Sequence, residues 1–244
     1  MIYYPFCLAF VTHNLTKDTL NYINYLKKSV NHIFDLWILY DTSGNDIIQE
    51  NLRDFNVFFF DSRRLENFFL EGDHRLPCPV KALIKFSKTN EYDHYLLMES
   101  DIVLKGNFTA FALLVQQQKD IDYLYISTDH LKMHQHWPTA YIDCNPFRKL
   151  CFSWSQICYL SFSFIKELDV YLRKYPTIYY EMLLPSLALI QGHKTKTFES
   201  LGYQFEVSWG PSGECEFKYI IGNKPNTFYH PIKNLKIVDF TKVD

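Results

Sequence analysis

The chain has 244 residues, with 25 basic side chains against 27 acidic ones and a formal charge of −2. That length allows one large α/β domain or two small ones, with a substantial core. A near-neutral chain without a basic stripe argues against nucleic acid as a partner, and no run approaches the roughly 20 apolar residues that span a bilayer.

The opening MIYYPFCLAFVTHN lacks a basic n-region and a long apolar stretch, so the reading expects no signal peptide. FCLAFVTH, 6–13, reads as a short apolar strand. Asn14 to Asp18 supplies a polar helix entry, and Leu20, Ile23, Leu26 and Val30 then recur on one helical face. DLWILYD, 35–41, is a second strand, closed by the turn Thr42-Ser43-Gly44-Asn45, and NVFFFDS, 56–62, a third. Residues 63–79 are polar and end in Pro77-Cys78-Pro79, which predicts a loop. Val80 to Thr89 has helical spacing, HYLLMESD (94–101) is a fourth strand, a helix follows over about 107–118, and DYLYIST (122–128) is a fifth strand.

The second half is less regular. Residues 129–154 are rich in His, Trp, Pro and Cys and read as loop. Residues 155–175 hold a strand and then a helix. YYEMLLPSLALIQG (179–192) is a helix ended by Gly192 with a kink expected at Pro185, KTKTFES is a strand, WGPSGE (209–214) is a loop, and the tail TFYHPIKNL is extended. The aromatic content, 18%, suits a thick core before it suits a stacking cleft. Six cysteines without a CxxC pair, Cys144, Cys151 and Cys158 among them, read as reduced thiols, mostly buried, in a cytoplasmic protein.

Alternating strands and helices predict an α/β fold with a mostly parallel central sheet flanked by helices. Ligands bind at the carboxyl ends of the strands in such sheets. Thr12, His13, Asn14, Asp41, Asp61, Glu99 and Asp101 all fall there. Glu99 and Asp101, two positions apart on an extended segment, are expected to point the same way. Carboxylates so placed repel unless a cation lies between them. Mg²⁺ or Mn²⁺ fits, its shell completed by phosphate oxygens and water. The bland reading is that one acid caps the next helix and the other is solvated.

The run YDHYLLMESDIVLKGNF resembles the metal-binding region of nucleotide-sugar glycosyltransferases with the GT-A fold. Their Asp-x-Asp motif stands here as Glu99-Ser100-Asp101. The resemblance implies a single GT-A-like domain over 1–244, with a nucleotide-sugar-binding half (1–128) and an acceptor-binding half ending in a metal-site tail (129–244). It implies that Asp101 contacts the metal, with Glu99, and that His230, in Phe228-Tyr229-His230-Pro231, closes the metal shell. Thr12, His13, Asn14, Asp41 and Ser100 would hold the donor nucleotide. Glu181, opening a helix in Tyr179-Tyr180-Glu181, would be the catalytic base of an inverting member.

Single residues keep a second reading. Asp41 is a ribose or base ligand, or closes an Asx-turn. Lys81 reaches a phosphate or is a solvated helix lysine, and His74 and Arg75 share that ambiguity. Glu181 is a base or a first-turn glutamate favoured by the helix dipole. Trp137 and Trp154 are candidate platforms for an acceptor sugar. His130, His134 and His136 suggest zinc, but no cysteine lies close enough to complete a familiar pattern.

The expectation is a metal-dependent glycosyltransferase acting on a UDP-sugar or another nucleoside-diphosphate sugar. Its acceptor would be a growing glycan, free or lipid-linked, as in bacterial surface-polysaccharide synthesis. It would work in the cytoplasm with peripheral association at the inner face of the membrane. The alternatives are a nucleotidyltransferase of similar fold, disfavoured because THNLTKD lacks glycine, and a non-catalytic carbohydrate-binding domain.

Overall fold

The computed structural model describes residues 5–43, 52–65, 79–127, 147, 151–175, 180–207, 224–232 and 235. Among them the strands are β1 (Phe6–Thr12), β2 (Asp35–Asp41), β3 (Asn56–Phe60), β4 (His94–Glu99), β5 (Val103–Lys105), β6 (Tyr123–Tyr125), β7 (Ile157–Ser161), β8 (Thr195–Thr197), β9 (Gln204–Val207) and β10 (Thr227–His230). The helices are α1 (Lys17–Val30), α2 (Ser62–Leu65), α3 (Pro79–Ser87), α4 (Phe108–Gln116), α5 (Phe162–Lys174) and α6 (Tyr180–Ile190).

The main sheet runs β3-β2-β1-β4-β7-β6-β8. β1 to β4 are mutually parallel, β7 is antiparallel to β4 and β6, and β8 runs parallel to β6. The central strands read as continuous apolar runs because both faces are covered. Alternate residues of β1 show it: Leu8 and Phe10 join one core and Cys7 and Ala9 the other. α1 and α4 cover the first face, and α3, α5 and α6 the second. Thr16 caps α1 through Thr19 N–H at 3.2 Å, which places the expected polar entry at one residue. Pro185 lies inside α6, whose interior is almost wholly buried.

A second sheet, β5-β10-β9, is the feature that sequence patterning does not reveal. The fourth strand stops at Glu99 rather than 101. A turn follows, and β5 begins only two residues beyond Asp101 and pairs antiparallel with β10, Tyr229 opposite Val103. The residue that leads into β10, Asn226, lies against Gly106. Gly106 has φ +140°, and a Cβ there would lie 2.9 Å from Asn226 Oδ1. The positive φ favours glycine, and a side chain there would also press on Asn226.

Cys7, Cys151 and Cys158 are buried. Among the described residues no helix is long and apolar enough to cross a membrane. The loop WGPSGE, the segment 129–146, and therefore Trp137, His130, His134 and His136, lie outside the described residues, as do His74 and Arg75.

Candidate metal and donor site

The acidic triplet sits where the carboxyl edge of β4 turns toward β5. Glu99 N–H donates to Gln156 C=O at 2.9 Å, extending the β4–β7 ladder by one rung. Ile102 N–H reaches back to Glu99 C=O at 3.4 Å, and the buried Tyr22 hydroxyl of α1 donates to Ile102 C=O at 2.6 Å. Ile232 N–H, just past β10, donates to Asp101 C=O at 2.7 Å. Hydrogen bonds from three directions thus hold the turn. Glu99 and Asp101 converge because the chain turns, not because an extended strand keeps i and i+2 on one side; that expectation is corrected here.

β10 brings His230 to the same point. Its Nε2 lies 3.2 Å from Asp101 Oδ1 and 3.6 Å from Glu99 Oε2. One ligand atom from each of the three residues falls within 4.8 Å of the other two. The side chains of Glu99, Asp101 and His230 are 24, 19 and 12% exposed, so the cluster is walled by protein yet open to a ligand. Burial works against a charged His230, but hydrogen bonds to Asp101 and Glu99 outweigh it and raise its pKa to about 9. The ring therefore neutralises part of the acidic charge.

With the Nε2 proton displaced by the ion, two hard carboxylate oxygens and one imidazole nitrogen make a donor set that suits a divalent cation. The imidazole favours Mn²⁺ over Mg²⁺, which prefers an all-oxygen shell. The next helix is not capped by either acid: Asn107 Oδ1 accepts from Ala110 N–H at 2.7 Å. The capping alternative for the triplet is thereby removed.

The other expected residues divide. Thr12 is nearly buried, and its hydroxyl closes a local turn with Asn14, donating to Asn14 C=O at 2.9 Å and accepting from Asn14 N–H at 3.1 Å. His13 and Asn14 are exposed just beyond the strand end. Asp41 is 5% exposed, and its Oδ1 accepts from Ser43 N–H at 2.9 Å and from Ser62 N–H at 3.0 Å. The first of these bonds is the Asx-turn of the bland reading, and the second ties β2 to α2. Asp61 is held by Arg63, whose guanidinium hydrogen bonds pull its carboxyl below the usual range. Ser100 stands half-buried in the acidic turn, and Lys81 is half-buried on α3. Trp154 is partly buried between the two cores with its ring edge-to-face on Phe152.

Glu181 lies 0% exposed in the first turn of α6. Its Oε1 accepts from Gln156 Nε2 at 2.9 Å and from Ser155 N–H at 3.3 Å. A general base must touch the proton that it takes, and a wholly buried carboxylate presents no atom to an acceptor hydroxyl. Its neighbour Tyr180, which sequence reasoning does not single out, donates its hydroxyl to Glu99 Oε1 at 3.3 Å.

The strand order, the acidic turn at the end of β4 and the small sheet that closes behind it define a GT-A fold. No protein-family model and no curated protein matches the sequence. The galactosyltransferase LgtC, solved with donor and acceptor sugar analogues, is similar in structure: TM-score 0.51, 11% identity, 97% of this chain and 93% of that chain. An active-site mutant of LgtC gives TM-score 0.52, 12% identity, with 97% and 94% covered.

Proposed function

We propose that this protein is a metal-dependent glycosyltransferase that uses a nucleoside-diphosphate sugar. The observation that carries the reading is the Glu99, Asp101 and His230 cluster at the carboxyl edge of β4. A GT-A fold similar to a sugar transferase supports it. Asp101 and Glu99 would hold Mn²⁺ or Mg²⁺, with His230 as the third protein ligand. A bound cation there would neutralise a diphosphate and stabilise it as a leaving group.

The chain's own residues shape the rest of the site. His13, Asn14 and Ser100 lie along the donor edge, where a nucleotide would meet side-chain and backbone donors. Thr12 and Asp41 shape that edge from beneath through their local turns. Lys81 adds a point charge from α3. Trp154, with Trp137, remains our candidate for the acceptor side. We assign UDP as the nucleotide and a glycan hydroxyl, free or lipid-linked, as the acceptor, in surface-polysaccharide synthesis at the cytoplasmic face of a membrane. A base role for Glu181, and inversion with it, requires acceptor binding to bring the carboxylate out of the core. In the buried position it anchors α6.

Calorimetric titration of UDP, with and without Mn²⁺ and with GDP as control, tests the reading. Metal-dependent UDP binding that Asp101→Ala abolishes supports it. Absence of nucleotide binding under both conditions removes it. A UDP-sugar screen then identifies the donor, and the anomeric configuration of the product, read by NMR, separates inversion from retention.

A further inference from the structure

We infer that Tyr180 is a positioning residue for the metal ligand Glu99, an inference that rests on the metal reading above. The two oxygens of Glu99 are divided between neighbours. Oε1 accepts the Tyr180 hydroxyl at 3.3 Å, and Oε2 faces His230 Nε2 at 3.6 Å. A carboxylate at a turn can swing about its own side-chain torsions. A donor on one oxygen fixes the plane of the group and aims the other oxygen into the cluster.

The phenol is itself held in place. Tyr180 is 8% exposed, in the apolar core beneath α6. The next residue, Glu181, is bound by Gln156 Nε2 and Ser155 N–H, and the Gln156 carbonyl accepts from Glu99 N–H. The result is a closed circuit: Glu99 backbone to Gln156, Gln156 side chain to Glu181, and Tyr180 back to the Glu99 carboxylate. Gln156 stands opposite Glu99 in the β4–β7 register, one rung beyond Met98–Ile157. α6 therefore locates the phenol relative to the strand end. Groups that orient a ligand through a hydrogen bond typically change metal affinity about 10–100-fold when removed. The contact at 3.3 Å is long, so the lower end is expected.

The test is Mn²⁺ affinity, read by the loss of the free-ion EPR signal, in wild type, Tyr180→Phe, Glu99→Ala and the double variant, with Asp101→Ala as control. Phe keeps the ring in the core, and melting temperatures check that the fold is unchanged. The expected result is about a tenfold weaker Kd in Tyr180→Phe, and no further loss when the same change is made in Glu99→Ala, because the two act through one group. An unchanged Kd in Tyr180→Phe overturns the inference. So does an equal loss in both backgrounds, which would show that the hydroxyl acts through the fold. If wild type takes up no Mn²⁺ and Asp101→Ala changes nothing, the metal reading fails, and the inference with it. If wild type binds and Asp101→Ala does not, a silent Tyr180→Phe condemns the inference alone.

Discussion

His230 shows what a single residue does when it is placed between two acids. Free in solution its ring titrates near pH 6.5. Here, despite burial, Asp101 and Glu99 hold it protonated to about pH 9. A folded-state pKa above the unfolded one stabilises the protein fully below about pH 6.5, and that contribution is lost as pH rises through about 9. With EDTA present, wild type should therefore exceed His230→Gln in melting temperature at pH 6, and the gap should shrink by about pH 9.5. Thermal melts across that range decide it. A gap that grows with pH would show that His230 is not paired as an imidazolium. The Glu181 carboxylate carries a different lesson at this scale. Its place in the first turn of a helix is legible in the sequence, but its burial is not, because the Gln156 and Ser155 donors come from a strand end distant in sequence.

At the scale of elements, β5 and β10 decide whether the site exists. β5 is three residues long, and local patterning does not separate it from the turn after β4. Its partner lies more than 120 positions later, beyond the reach of such patterning. Gly106 sits at the join of this arrangement, with a φ that L side chains avoid and Asn226 crowding the place of a Cβ. Gly106→Ala should cost about 1–3 kcal/mol in urea unfolding. Because β10 carries His230, the same change should weaken Mn²⁺ binding, measured on the folded fraction. Loss of stability with metal affinity untouched would separate the small sheet from the site.

Over the whole molecule, β4 is the spine. It pairs with β1 on one side and β7 on the other, and Leu96 and Leu97 point into opposite cores, each fully buried. Leu97→Ala should lower stability by about 2–5 kcal/mol, as core truncations do. The variant should keep its Mn²⁺ affinity while folded, since Leu97 belongs to the core under α3 and α5 rather than to the acidic turn. Chemical unfolding followed by metal titration reads both. A stability change well under about 1 kcal/mol would contradict the packing described here.

The amino-acid sequence alone determined the strands β1 to β4 and the helices α1 and α3, because their apolar periodicity is local and their caps and turns are built from neighbouring residues; the short α2 falls where the sequence reads as strand end and loop. It also marked Glu99, Asp101 and His230 as candidate ligands of one metal, through the resemblance rather than through spacing, and the fold brings these three together. Only the tertiary structure decided how those residues meet. The acids converge at a turn pinned by Tyr22, Gln156 and Ile232, the histidine arrives on a strand paired across the small sheet, and Tyr180 comes from a helix some 80 residues on. Each of those contacts joins residues far apart in the chain, and side-chain chemistry says which groups could pair, whereas the closing of the fold says which ones do.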